Sequence, residues 1–161
     1  MENNIGKAKN YALNLLSFRN RSEKEIKERL KQKKFDNKTA EEVVDKLKSV
    51  DLIDDDKFAR LWIKNRLTGK PRGKNLIKRE LYQKGIKKEI IENAISEIYS
   101  ETTEEELALK LAQKKAISYA KLDKVKAKHK LYAFLISRGF ESELTGKIVN
   151  KIYGLMEKDR P

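Results

Sequence analysis

The chain has 161 residues, a net charge of +13 and no cysteine, with apolar and charged residues equal at 39% each. This composition excludes disulfides and thiolate metal sites and leaves too little apolar material for one large core. No apolar run approaches bilayer-spanning length and no signal-peptide pattern opens the chain, so a cytoplasmic protein with no membrane partner is expected.

Two prolines and long Glu/Lys/Leu/Ala runs favour helix almost throughout. In chain order the periodicity predicts helices over Lys7–Phe18, Glu23–Lys33 and Lys38–Val50. A second set follows over Asp56–Thr68, Lys74–Lys84 and Lys88–Tyr99, and a third over Glu104–Ala120, Lys124–Arg138 and Ser142–Leu155. Start signals support them: Ser22, Asp36, Thr103, Asp123 and one of Asp54 and Asp55 suit N-caps, and Ser22 with Glu25 forms a possible capping box.

The three sets are copies. Sliding the chain by 51 residues places Ile26, Leu30, Phe35, Val43, Val44 and Leu47 on Ile77, Leu81, Ile86, Ala94, Ile95 and Ile98. A further 54 places these on Leu131, Leu135, Phe140, Ile148, Val149 and Ile152. Upstream, Ala8, Tyr11, Ala12 and Leu16 fall on Ala59, Trp62, Ile63 and Leu67; the counterpart in the third copy lies somewhere in 107–119. The leucine-to-apolar spacing of five fits a Schellman stop, in which Gly85 and Gly139 take the left-handed conformation. Lys34 stands where the first copy would place glycine, at a cost of about 1–2 kcal/mol, which predicts a looser stop there. The expected architecture is all-α: three tandem three-helix repeats, over residues 1–52, 53–101 and 102–161, forming an elongated, curved array in which neighbours contact neighbours.

The charge is unevenly placed. Residues 57–90 carry a net +10, residues 91–109 a net −6 and residues 110–138 a net +8, while the rest is nearly neutral. The residues expected to meet a polyanionic partner are Arg60, Lys64, Lys70, Arg72, Lys74, Lys78 and Arg79, with Lys124, Lys126, Lys128 and Lys130 in the third repeat. Arg66 falls in an apolar arc. Either its stem packs on the core with its head paired to Asp55 or Glu80, or it contacts the partner directly.

Enzyme chemistry is not expected. His129 is the only histidine, and no nucleophile–base set or metal-ligand cluster stands out. The segment GKPRGK lacks the spacing of a phosphate loop and follows no strand, so no nucleotide or other cofactor is expected. Asp54–Asp56 reads as a helix start in a favourable dipole field rather than a metal site. Base reading by the third helix of each repeat fits poorly, because Glu41, Glu42 and Asp45, and then Glu89, Glu92 and Glu97, would face phosphates.

The stretch LIDDDKFARLWIKNRLTGKPRGKNLIKRELYQKGI, Leu52–Ile86, closely resembles the signature region of the bacterial recombination regulators of the RecX family. The matching features are the Asp-Asp before Phe58-Ala59, then Trp62, Arg66, Gly73, Leu81 and Lys84-Gly85-Ile86. YALNLLSFRNRSEKEIKERL, Tyr11–Leu30, is similar to the first unit of that family, and the third unit is more diverged. Lys34 and a short C-terminal tail depart from the pattern. The resemblance implies a non-enzymatic, monomeric protein that binds the RecA recombinase filament on DNA and inhibits its ATPase, coprotease and strand-exchange activities. It implies weak, non-specific contact with single- and double-stranded DNA. The competing expectation is a non-specific basic DNA-binding protein without a recombinase partner.

Overall fold

A computed structural model describes residues 2–158. Among these the chain forms helices alone: α1 Glu2–Phe18, α2 Glu23–Gln32, α3 Asn37–Lys48, α4 Asp55–Thr68, α5 Lys74–Gln83, α6 Lys88–Ile98, α7 Glu101–Ile117, α8 Lys124–Ser137 and α9 Ser142–Lys158. Of the eighteen apolar positions matched by the two shifts, all but Phe35 and Ile98 are buried.

Helix starts follow the expected chemistry with one correction. Ser22 accepts from the Glu25 amide while the Glu25 carboxylate accepts from the Ser22 amide, a complete capping box. Asp36 and Asp123 cap α3 and α8, and Asp54 accepts from the Lys57 amide at the head of α4. The cap of α7 is Ser100, not Thr103. The Ser100 hydroxyl accepts from the Thr103 amide at 3.1 Å, because the helix begins in the polar segment before the apolar period starts.

The stops share one geometry. Gly85 and Gly139 have φ of +78° and +88°, and the amides that follow them, Ile86 and Phe140, donate to Leu81 and Leu135. Lys34 takes φ +65° and makes the same stop: the Phe35 amide donates to the Leu30 carbonyl at 3.1 Å and the Lys34 amide to Lys31 at 2.8 Å. The expected looseness is absent, since both bonds of the motif form whatever the side chain costs. Asp51 ends α3 alike at φ +57°, with Leu52 donating to Leu47.

The chain divides into two compact units, residues 1–62 with 81–94, and residues 63–80 with 95–161, so the division runs through the middle helix triplet. In the first unit α1 packs on α2 and α3 around Ala8, Ala12, Ile26, Leu30, Val43, Val44 and Leu47. In the second, α7 packs on α8 and α9 around Leu131, Leu135, Phe140 and Ile148. Ala108, Ala112 and Ala116 line the buried face of α7. This stripe is the counterpart of Ala8 and Ala12, and small side chains there let the helix axes approach.

Each unit contains one joint of the same design. In the first, the Ser22 hydroxyl donates to the Lys84 carbonyl at 2.7 Å, and the Glu23 amide donates to Asp55 at 2.9 Å. In the second, the Gly73 amide donates to the Arg138 carbonyl at 2.8 Å, and the Lys74 amide donates to Glu104 at 2.9 Å. Ser22 and Gly73 correspond under the repeat shift, as do Glu23 and Lys74, and Lys84 and Arg138. The start of one triplet's middle helix is thus seated on the stop of the next triplet's middle helix. An acidic residue from the next triplet's first helix accepts from a part-buried amide at that start. Positive and negative helix ends meet, and otherwise orphaned backbone groups pair.

The contact is close. A Cβ on Gly139 would lie 2.3 Å from the Leu76 Cβ. Gly139→Ala, strained in φ as well, is expected to cost more than about 2 kcal/mol. Lys34→Gly should instead stabilise by about 0.5–1 kcal/mol, left-handed strain relieved minus the entropy of glycine. Urea midpoints of the two variants moving in opposite directions would confirm the shared stop.

Candidate partner-binding surfaces

The cations picked from the sequence have different surroundings. Arg60 pairs with Asp56 one turn earlier at 2.8 Å, and Lys64, one turn on, is exposed. The Arg66 Nε donates to Glu80 at 2.9 Å, the first of the two expectations for that residue. Arg72 pairs with the other oxygen of Glu80, so one carboxylate serves two guanidiniums. Burial, with Arg66 and Arg138 nearby, lowers the Arg72 pKa from its ordinary value. Lys74 pairs with Glu104 at 3.2 Å, and the buried Tyr99 hydroxyl donates to the Arg72 carbonyl. Burial and the Glu104 charge raise the Tyr99 phenol. These contacts fix the α4–α5 connection.

Lys78 is half-buried, whereas Lys70 and Arg79 are exposed. Arg79 lines a cleft of about 250 Å³ with Asn75, Leu76, Ile136 and Phe140, away from Lys70, which lines a different groove. On α8, Lys124 and Lys128 share one stripe and Lys126 and Lys130 another, because residues two apart on a helix point about 200° from each other. Lys126 lies 3.7 Å from Asp123. His129 is exposed, and among the described residues no group of metal-ligating side chains comes together.

Two cationic sites were not read from the sequence. In the first unit Arg19, Arg21, Arg29 and Lys84 surround a cleft of about 270 Å³ with Glu25. Arg19, Arg21 and Arg29 come from a stretch of the chain that is nearly neutral in sum, so a charge count conceals them. In the second unit Lys70, Lys110, Lys114, Lys115 and Arg138 edge a groove of about 540 Å³. The signal there was Lys110 and Lys114 one turn apart on α7, beside Leu107 and Leu111.

Glu25 is the centre of the first joint. Arg19 Nη2 approaches its carboxylate to 3.0 Å and Lys84 Nζ to 2.6 Å, while Lys84 also lies 5.3 Å over the Trp62 ring. Burial alone would raise this carboxyl, but the hydrogen bonds from Arg19, Lys84 and the Ser22 amide outweigh it and bring the pKa from 4.5 to about 2.

An all-α protein of tandem three-helix units with cationic surfaces belongs to the class of helical-repeat proteins. Comparison with known proteins gives the family. RecX family models match in order, the first three-helix domain at residues 8–47, the second at 54–95 and the third at 103–149. The chain is 39% identical over 153 residues to the regulatory protein RecX of Clostridioides difficile, covering 95% of this chain and 71% of that one. It is 34% identical to that of Finegoldia magna, covering 89% and 71%. The crystal structure of RecX from Lactobacillus salivarius superposes with a TM-score of 0.85 at 28% identity, over 94% of this chain and 98% of that one. The chain belongs to the RecX family of regulatory proteins.

The depressed Glu25 pKa carries a signed consequence. A carboxylate held below its unfolded value contributes stability that is present above about pH 4.5 and lost as pH falls towards 2. Glu25→Gln should cost about 2 kcal/mol at neutral pH and flatten the fall in stability over that acid window, measured by urea titrations across pH.

Proposed function

We propose that this protein binds the RecA recombinase filament on DNA and inhibits its ATPase, coprotease and strand-exchange activities, so tempering homologous recombination and the SOS response. The observation that carries this reading is the 39% identity to a regulatory protein RecX across 95% of the chain. The protein acts by binding rather than by catalysis, in the cytoplasm, as a monomer built of three repeats with boundaries near residues 52 and 101. The family matches at 8–47, 54–95 and 103–149 support those boundaries.

The physical logic is one of summed weak contacts. A filament presents protein and anionic DNA at regular intervals. A tandem protein with net charge +13 engages successive intervals, and each added contact is intramolecular once the first has formed. Holding neighbouring subunits in one geometry opposes the movements that accompany hydrolysis and growth. Exposed Lys64 and Arg79 serve as contact cations, with weaker, non-specific DNA contact from Lys124, Lys126, Lys128 and Lys130. Arg66, Arg72 and Lys74 act chiefly by holding the α4–α5 connection in place.

The test is the single-stranded-DNA-dependent ATPase of the cognate recombinase, titrated with this protein. Inhibition well below the amount that coats the DNA is expected. Lys64→Glu with Arg79→Glu should weaken it about tenfold or more while leaving the circular dichroism spectrum unchanged. Inhibition only at DNA-coating amounts, with a steep salt dependence, would favour the plain DNA binder.

A further inference from the structure

The groove edged by Lys70 and α7 is not explained by filament binding through Lys64 and Arg79. One wall is the α4–α5 connection, with Lys70 and Pro71, and the other is α7 with α8. Its floor is apolar, formed by Leu67, Leu107, Leu111 and Phe134. Lys110 and Lys114 stand exposed along the α7 edge, and among the described residues no carboxylate lines the groove. The volume of about 540 Å³ is in the range of a built binding site. Leu107, Lys110, Leu111 and Lys114 recur at helical spacing, so apolar and cationic stripes run side by side along one helix.

We propose that this groove docks an acidic amphipathic segment of a partner protein, apolar side chains on the floor and carboxylates along the lysine edges. Charge complementarity selects an acidic occupant, since cations stand on both walls and nothing in the lining offsets them. The floor selects peptide over nucleic acid. Single-stranded nucleic acid is held by stacking on open aromatic faces. Phe134, the groove's aromatic residue, already has Lys115 and Arg138 each 5.2 Å from its centroid, and the rest of the floor is aliphatic. A helix laid in the groove would anchor with residues at i, i+3, i+4 and i+7. This inference names the chemistry of a partner segment and does not depend on the recombinase reading.

The test uses the full chain and a fluorescein-labelled peptide of about four helical turns, leucine and phenylalanine on one face and glutamate on the other. Anisotropy is read at about 150 mM salt. Saturable binding is expected, with an affinity lowered about tenfold by Lys110→Gln with Lys114→Gln and several-fold by Lys70→Gln on the facing wall. Lys38→Gln, exposed in the first unit, should change nothing. Peptides with glutamine for glutamate, or serine for the apolar residues, should lose most of the affinity. The proposal is overturned if the serine peptide binds as tightly, or if the groove variants bind the parent peptide unchanged. It also fails if a thymidine oligonucleotide displaces the peptide, or if sedimentation shows a dimer that the same substitutions dissolve.

Discussion

The structure depends on how a helix end is disposed of. Every α-helix leaves backbone donors at its start and acceptors at its end, and a repeat protein must satisfy both where its repeats meet. Here one contact does both. A left-handed residue closes the middle helix of one triplet, the carbonyl before it turns outward, and the start of the preceding triplet's middle helix donates to it, Ser22 to Lys84 in one unit and Gly73 to Arg138 in the other. The donor differs, a hydroxyl in one joint and an amide in the other, yet the position is the same. Gly73 and Gly139 approach so closely that a side chain on either would strike the opposing backbone or Leu76. Both joints need a glycine at the stop, Gly85 facing Lys24 and Gly139 facing Leu76; the second adds Gly73, while the first adds a serine and the salt-bridged Glu25.

The signature residues sit at these joints. Asp55 accepts from Glu23, Lys84 meets Glu25 over the Trp62 ring, Arg66 holds Glu80, and Gly73 seats against Gly139. All are joint or connection contacts within one unit or the other. The stretch by which the chain is recognised as RecX-like is mainly the stretch that fastens one repeat to the next. That is physically reasonable, because backbone approach and buried ion pairs tolerate few residue types, whereas a lysine on a solvated face can be exchanged at little cost.

Much of the fold was legible because its rules are local. The predicted ends of α2, α3, α5, α6 and α8 lie within two residues of those observed, since caps, apolar period and stop residues all sit inside short windows. The start of α7 was misread because Glu101 and Thr102 carry no apolar signal, and the Asp51 stop was missed because aspartate, unlike glycine, does not advertise a left-handed turn. The Lys34 stop was found by spacing but misjudged in tightness. The joints were illegible for a different reason. Glu25 and Lys84 are 59 residues apart, and nothing in either segment says that one faces the other. The groove was half legible, its α7 lysines and leucines visible as a stripe, its facing Lys70 wall not.

A charge count hides the neighbours of each cation for the same reason. Of the twelve cations selected by composition, Arg60, Arg66, Arg72, Lys74 and Lys126 each have a carboxylate partner at hand, and Arg66 and Arg72 share one. Cations so engaged gain less from an incoming anion, because that anion must compete with a partner already in place. Lys110 and Lys114 lie in the open along an apolar floor, where desolvation by an occupant strengthens each new ion pair. A net charge of +13 sets a long-range field that favours anionic surfaces near the molecule, and the carboxylates already beside each cation set how much that cation gains from one.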